Sequence, residues 1–245
     1  MKPIIVMTQT KRYDDQRAEI VHLPFVTTEP LPFDQSVLGR HYDWLVFTSQ
    51  NAVTHFQPYL KLLNFNKLAV IGEKTKAFCE SQGLRVDFFP ADYSQEGFLD
   101  AFPTQQGQHI LIPSSQRARP LLYEVLQVRG FNVEKIDLYT SCFLLENVKE
   151  AKARIETGQV DALTFASASA VKAFFHDDTS LNFDSYYAIG QQTARQIQDY
   201  GYSCSIANIQ TLESMVTKIL EERDDVVFTY INCNFYTSIT YKLIL

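Results

Sequence analysis

The chain has few of the residues on which conventional active sites are built. Only 4 of its 245 residues are cysteine. Cys79, Cys142, Cys204 and Cys233 are scattered, with no Cys-x-x-Cys pair and no histidine at ligand spacing beside them. That spacing offers neither a metal site nor a disulfide framework and leaves the thiols structural or incidental. The histidines are His22, His41, His55, His109 and His176; they stand in unrelated contexts, form no hydrolytic triad, and each reads as a surface or packed side chain. Glycine is sparse, at 9 residues. None builds a Gly-x-Gly-x-x-Gly loop or a glycine-rich P-loop, so a nucleotide ligand is not favoured. No apolar run approaches the roughly 18 residues of a membrane span, and Met1–Met7 is too short for a signal-peptide core, so a cytoplasmic protein is expected. Positive charge is short as well: 22 basic against 28 acidic residues leave a net charge of -6. Such a surface exerts no long-range pull on nucleic acid or anionic lipid, so an anionic ligand must be held by local groups. The carboxylates fall mainly on helix surfaces, with no pair at informative spacing.

What the chain does have is a core and a repetition. With 46% hydrophobic and 20% charged residues it can bury a substantial interior. Asp43-Trp-Leu-Val-Phe-Thr-Ser-Gln-Asn-Ala-Val53 aligns with Asp161-Ala-Leu-Thr-Phe-Ala-Ser-Ala-Ser-Ala-Val171. The same offset, without a gap, carries Phe56 onto Phe174, Ile71-Gly72 onto Ile189-Gly190, Thr75 onto Thr193 and Gly83 onto Gly201. A period this long, present twice, is a duplicated domain rather than a solenoid unit. Two similar domains imply a cleft, where small ligands usually sit.

Short apolar runs, Ile4–Met7, Leu45–Phe47, Leu68–Ile71, Ile110–Ile112, Ala162–Phe165 and Tyr186–Ile189, read as buried parallel strands. Amphipathic helices are predicted over Asn51–Leu63, Lys74–Gln82, Pro120–Arg129, Ala168–Phe175, Thr193–Tyr200 and Leu212–Glu222. Gly83, Gly130 and Gly201 stand just past three of them, where a C-terminal cap is expected. Alternation of this kind predicts open α/β sheets covered by helices on both faces. Val21–Thr27 and Val133–Thr140 read as crossover strands between domains. The expected division is residues 1–30 with 147–223 as one discontinuous domain and 38–138 as the other. The aromatic and β-branched stretch 226–245 falls outside both copies, as an added hairpin or a poorly packed tail.

Each copy offers small polar side chains where a helix begins: Thr48, Ser49 and Asn51 in one, Ser167 and Ser169 in the other. Free backbone N–H groups and the helix dipole favour an anion there, but Ser and Asn also cap helices with no ligand at all. Gly72-Glu-Lys-Thr75 and Gly190-Gln-Gln-Thr193 repeat the theme after a second strand. Four such starts in two equivalent sets point to a ligand carrying several carboxylates or phosphates. Tyr139, at the end of a crossover strand, is either a hydrogen-bond or proton donor or a half-buried interface aromatic.

Seven segments in order resemble one family: Phe47-Thr-Ser-x-Asn-Ala-Val53, Val70-Ile-Gly-x-x-Thr75, Tyr93-Ser-Gln-Glu-Gly97, Leu138-Tyr-Thr140, Thr164-Phe-x-Ser-x-Ser-Ala-Val171, Ile189-Gly-x-x-Thr-Ala194 and Thr211-Leu-Glu-Ser-Met-Val216. Together they look like bacterial uroporphyrinogen-III synthase. The resemblance implies two flavodoxin-like α/β domains with parallel sheets, joined by a two-stranded linker. It implies a lyase that closes hydroxymethylbilane, a linear tetrapyrrole with eight carboxylates, while inverting ring D. Loss of the ring A hydroxyl would give an azafulvene and then a spiro intermediate, with no metal and no organic cofactor. Tyr139 would assist departure of the hydroxyl. Ser49, Asn51, Thr75, Ser114, Ser167, Ser169 and Thr193 would contact or orient the substrate. A monomer is expected, with hydroxymethylbilane synthase as a transient partner. The family's arginine shortly after the first strand is absent: Met7-Thr-Gln-Thr10 delays the basic residues to Lys11 and Arg12. A non-catalytic two-domain sensor of a tetrapyrrole or similar polycarboxylate is the alternative; it would have no need of Tyr139.

Overall fold

The structure is a computed structural model that describes residues 2–103, 105–177 and 181–223; the 226–245 tail lies outside them. The chain opens with β1 (Ile4–Met7), β2 (Glu19–His22) and β3 (Val26–Pro30), then β4 (His41–Phe47) and α1 (Gln50–Phe56). There follow β5 (Asn64–Val70), α2 (Glu73–Ser81), α3 (Gln95–Ala101), β6 (His109–Ser115), α4 (Leu121–Val128) and β7 (Asn132–Phe143). The last part holds α5 (Leu145–Glu156), β8 (Ala162–Phe165), α6 (Ala168–Phe174), β9 (Tyr186–Ala188), α7 (Gln191–Asp199) and β10 (Ser205–Ile206). A helix over residues 212–223, α8, closes the described chain.

These elements make two 5-stranded sheets, in the orders β10-β9-β8-β1-β2 and β3-β7-β6-β4-β5. In the first, β1 pairs in parallel with β2 (Ile5 with Ile20) on one side and with β8 (Ile5 with Ala162) on the other. In the second, β4 pairs in parallel with β5 and β6, and β6 with β7. The chain divides into two compact units: Thr28–Cys142 is one, and the described residues on either side of it are the other.

The apolar runs are continuous rather than alternating because each sheet is covered on both faces. Successive side chains of a strand point to opposite faces. Val6 accordingly packs with Phe165, Phe174 and Ile197, whereas its neighbours Ile5 and Met7 pack with Tyr187, Val216 and Ile219. In the other sheet Leu45 and Phe47 join Phe56, Leu68 and Leu138, while Trp44 and Val46 join Phe98, Ile112 and Leu126. Phe47 and Phe165, equivalent in the repeat, are both completely buried, and each such side chain contributes about 1.5–3 kcal/mol of burial. Gly83, Gly130 and Gly201 have φ of 77°, 89° and 85°, the left-handed conformation that ends a helix and that side chains with a Cβ resist.

Two predicted elements divide where proline falls. The helix predicted over Asn51–Leu63 stops at Phe56 and continues as a 3-10 turn over Gln57–Leu62. Pro58 has no N–H for the next intrahelical bond, so the α-helical ladder ends there although Gln57 before it keeps helical geometry. The segment Val21–Thr27 is not one crossover strand. It ends β2, which pairs in the first sheet, and after Pro24 begins β3, which lies in the second. Val133–Thr140 lies wholly within β7, as expected of a single strand. Two helices were not predicted, α3 and α5. Apolar spacing marks α5, whose Val148, Ala151 and Ile155 are buried, but its charged residues mask the pattern. The short α3 carries Gly97, whose missing Cβ leaves room for Asp92 at 2.4 Å.

Candidate functional site

In both units the predicted site residues gather at the carboxyl ends of parallel strands, where an open α/β sheet leaves its helix starts exposed. In Thr28–Cys142 the focal group is Tyr139. Its hydroxyl lies 2.9 Å from Ser49 Oγ, and Ser49 in turn caps α1 by accepting the Ala52 N–H at 3.1 Å. The β6–β7 register places Tyr139 beside Ser115. The Tyr139 ring is 5% exposed. Its flat face is stacked on the His55 imidazole, with ring centres 5.0 Å apart and planes 17° apart. His55 Nε2 is 2.9 Å from the Thr28 hydroxyl on β3. Burial raises the Tyr139 pKa, only partly offset by the Ser49 hydrogen bond, and burial lowers that of His55. Both effects favour the neutral form of the side chain.

Thr75 and Thr193, the second pair of equivalent hydroxyls, are 6% and 5% exposed. Neither hydroxyl has a hydrogen-bond partner among the described residues, and neither oxygen is sealed from solvent. The helices they open, α2 and α7, begin at Gly72 and Gly190, which supply no side-chain cap. By contrast Thr8 and Thr164, buried in the first sheet, bond the Thr164 and Val6 carbonyls at 2.8 and 3.1 Å and are structural.

In the other unit a depression of about 650 Å³ brings Ser167, Ser169 and Thr193 to one place. The Ser167 and Ser169 hydroxyls are 3.0 Å apart, and Ser167 also caps α6. The depression is completed by Arg195 and Gln210. Gln210 fits because residue 190 is glycine: a Cβ there would lie 3.0 Å from the carboxamide. Arg195 is exposed and has no ion-pair partner among the described residues.

Not every predicted residue is presented in this way. Asn51 is exposed in the first turn of α1 and makes no side-chain hydrogen bond among the described residues. Ser114 is buried, with only the Ser115 carbonyl in reach at 3.5 Å, too long for more than a weak bond. Thr28, His55, Arg195 and Gln210 carry no signal in the motifs, since each lies between or beyond the repeated positions. Among the described residues no group of three or more His, Cys, Asp or Glu could hold a metal ion, and no helix is long and apolar enough to cross a membrane.

Hydroxyls and helix starts gathered at the strand ends of each of two duplicated open sheets define a two-unit α/β protein. The sequence family described as "Uroporphyrinogen-III synthase HemD" matches residues 9–217. The chain belongs to that family. It is 26% identical to the "Porphyrin biosynthesis protein HemD" of Ruminiclostridium josui over 83% of its own length, and spans 44% of that longer protein. It is 25% identical to the uroporphyrinogen-III synthase of Synechococcus elongatus over 64% of each chain. Among solved structures the uroporphyrinogen-III synthetase of Helicobacter pylori shares the fold, with a TM-score of 0.64 at 20% identity over 90% of this chain and 99% of the other.

Proposed function

We propose that this chain is a uroporphyrinogen-III synthase, a lyase that removes water from hydroxymethylbilane and closes it with ring D inverted. The observation that carries the reading is the buried Tyr139 phenol hydrogen-bonded to Ser49 at the strand ends, where burial raises its pKa. A neutral phenol can give its proton to a departing hydroxyl, and its high pKa keeps it loaded for that purpose. As the C–O bond breaks, the oxygen leaves as water and the pyrrole that carried it becomes an azafulvene.

The rest of the site holds and folds the substrate. Each unit offers the carboxylates groups of its own: the free Thr75 hydroxyl and the uncapped start of α2 in Thr28–Cys142, and the free Thr193 hydroxyl, the uncapped start of α7 and the unpaired Arg195 in the other. Such groups suit a chain with net charge -6, because they act locally and ask nothing of the surface field. Holding the bilane with its ends in reach of one another supplies much of the rate, and it disfavours the uninverted closure. The protein acts in the cytoplasm as a monomer and receives its unstable substrate by transient contact with hydroxymethylbilane synthase.

The test is direct. The chain is incubated with freshly made hydroxymethylbilane, and the uroporphyrinogen I and III isomers are separated. Predominance of the III isomer is expected; the I isomer alone, at the rate of the protein-free control, would overturn the reading.

A further inference from the structure

We propose that Thr28, His55 and Ser49 are positioning residues for Tyr139, and that Ser49 and Tyr139 share their two hydroxyl protons so that one O–H always faces a ligand. The inference rests on the functional reading above and adds to it a set of side chains that act through the phenol.

Hydrogen-bond accounting carries the argument. Ser49 Oγ accepts the Ala52 N–H at 3.1 Å and lies 2.9 Å from the Tyr139 hydroxyl. Neither hydroxyl has another partner among the described residues. Two protons therefore serve one bond between them, and one is left over. If Tyr139 donates to Ser49, both serine lone pairs are taken and the serine hydrogen points away from the pair. If Ser49 donates to Tyr139, the phenol hydrogen is the free one. The second arrangement is the reactive one. Tyr139 gives its proton to the departing oxygen, the C–O bond breaks with its electron pair on that oxygen, and water leaves. The phenolate that remains keeps the Ser49 O–H donated to it. Ring D attacks the azafulvene carbon to give the spiro intermediate; when this reopens and the final C–C bond forms, the attacking pyrrole carbon loses its proton and the phenolate recovers one. No proton is consumed over the cycle.

The second half of the set fixes the ring. A tyrosine held only at its oxygen can still swing about its Cβ–Cγ bond. Here the imidazole of His55 lies over one face at 5.0 Å and 17°. The imidazole is itself tied to β3 by the 2.9 Å bond to Thr28. Strand β3, helix α1 and strand β7 thus converge on one phenol, through residues that all lie within Thr28–Cys142.

The experiment is a double-mutant cycle on the full chain with hydroxymethylbilane as substrate, reading kcat, KM and isomer ratio. Ser49→Ala should lower kcat by roughly tenfold, the lower edge of what a positioned acid supplies, with KM within about twofold. Ser49→Thr, which keeps both cap and hydroxyl, should restore it. Ser49→Asp, which keeps the cap but has only acceptor oxygens, should not, and this separates loss of a proton donor from loss of fold. His55→Phe, which keeps an aromatic face, should retain more kcat than His55→Ala. In a Tyr139→Phe background Ser49→Ala and His55→Ala should cost nothing further, since the group they position is gone. If their losses add fully to that of Tyr139→Phe, or appear in KM alone, the positioning role is overturned while the functional reading stands. If the unmutated chain gives no excess of the III isomer, that reading falls and the inference with it.

Discussion

At Tyr139 burial and hydrogen bonding pull in opposite directions: the first disfavours the phenolate, the second stabilises it, and burial wins. The acid form is the active one in the proposed reaction. Activity should therefore hold as pH rises and fall only as it passes above about 10, the ordinary tyrosine value. A pH–rate profile checks this, and an alkaline limb near neutrality would move the acid role to another group. Tyr139→Phe should fold normally and lose roughly 10²-fold in kcat/KM, about 3 kcal/mol of barrier, while still giving the III isomer. Full rate in that variant would remove Tyr139 from the mechanism. Thr75→Ala and Thr193→Ala act on binding instead. Each removes one unpartnered hydroxyl and should raise KM by the equivalent of about 1 kcal/mol.

Helix α7 concentrates the features of one site within two turns: a glycine start, a buried threonine at its third residue, and an arginine two residues on. If Arg195 holds a carboxylate, Arg195→Ala should raise KM about tenfold with kcat little changed, in line with the 1.5–3 kcal/mol of a charged hydrogen bond. Steady-state kinetics checks it, and an unchanged KM would leave the arginine idle. The far end of the same helix offers a cleaner stability test. Gly201 has φ 85° and open space where a Cβ would go, so Gly201→Ala meets only backbone strain of about 1–2 kcal/mol. A thermal melt should show a drop of a few degrees. The glycine stops, the strand runs and the repeated Ser49/Ser167 and Thr75/Thr193 starts were all legible in the sequence, because each rests on a local rule. His55 was not. Its value comes from Thr28, 27 residues away, and from Tyr139, 84 residues in the other direction, and no period links them. Arg195 likewise reads as one more solvated charge until Ser167, Ser169 and Gln210 are seen beside it. The division of the first crossover segment at Pro24 was visible in principle, since proline interrupts a strand ladder.

Each unit carries its own pair of cores, one on either face of its sheet. Phe47→Ala and Phe165→Ala are repeat-equivalent and equally buried, so each should cost about 3–5 kcal/mol. Hydrogen exchange should place the loss in the unit that bears the mutation; uniform loss across both would mean that the cores unfold as one. The pairing of β1 with β8 has a different meaning when the chain is considered in time. The Ile4 N–H is bonded to Asp161, 157 residues later, so during synthesis one edge of β1 waits unpaired until that residue leaves the ribosome. At about 5–20 residues per second that wait lasts on the order of ten seconds. Meanwhile all five strands of the other sheet, β3 to β7, lie between Val26 and Phe143, so that sheet can form before Asp161 is made. The nascent chain thus passes through a stage with a finished inner unit and an apolar Ile-Ile-Val-Met edge still open, and that edge is where a chaperone would be needed.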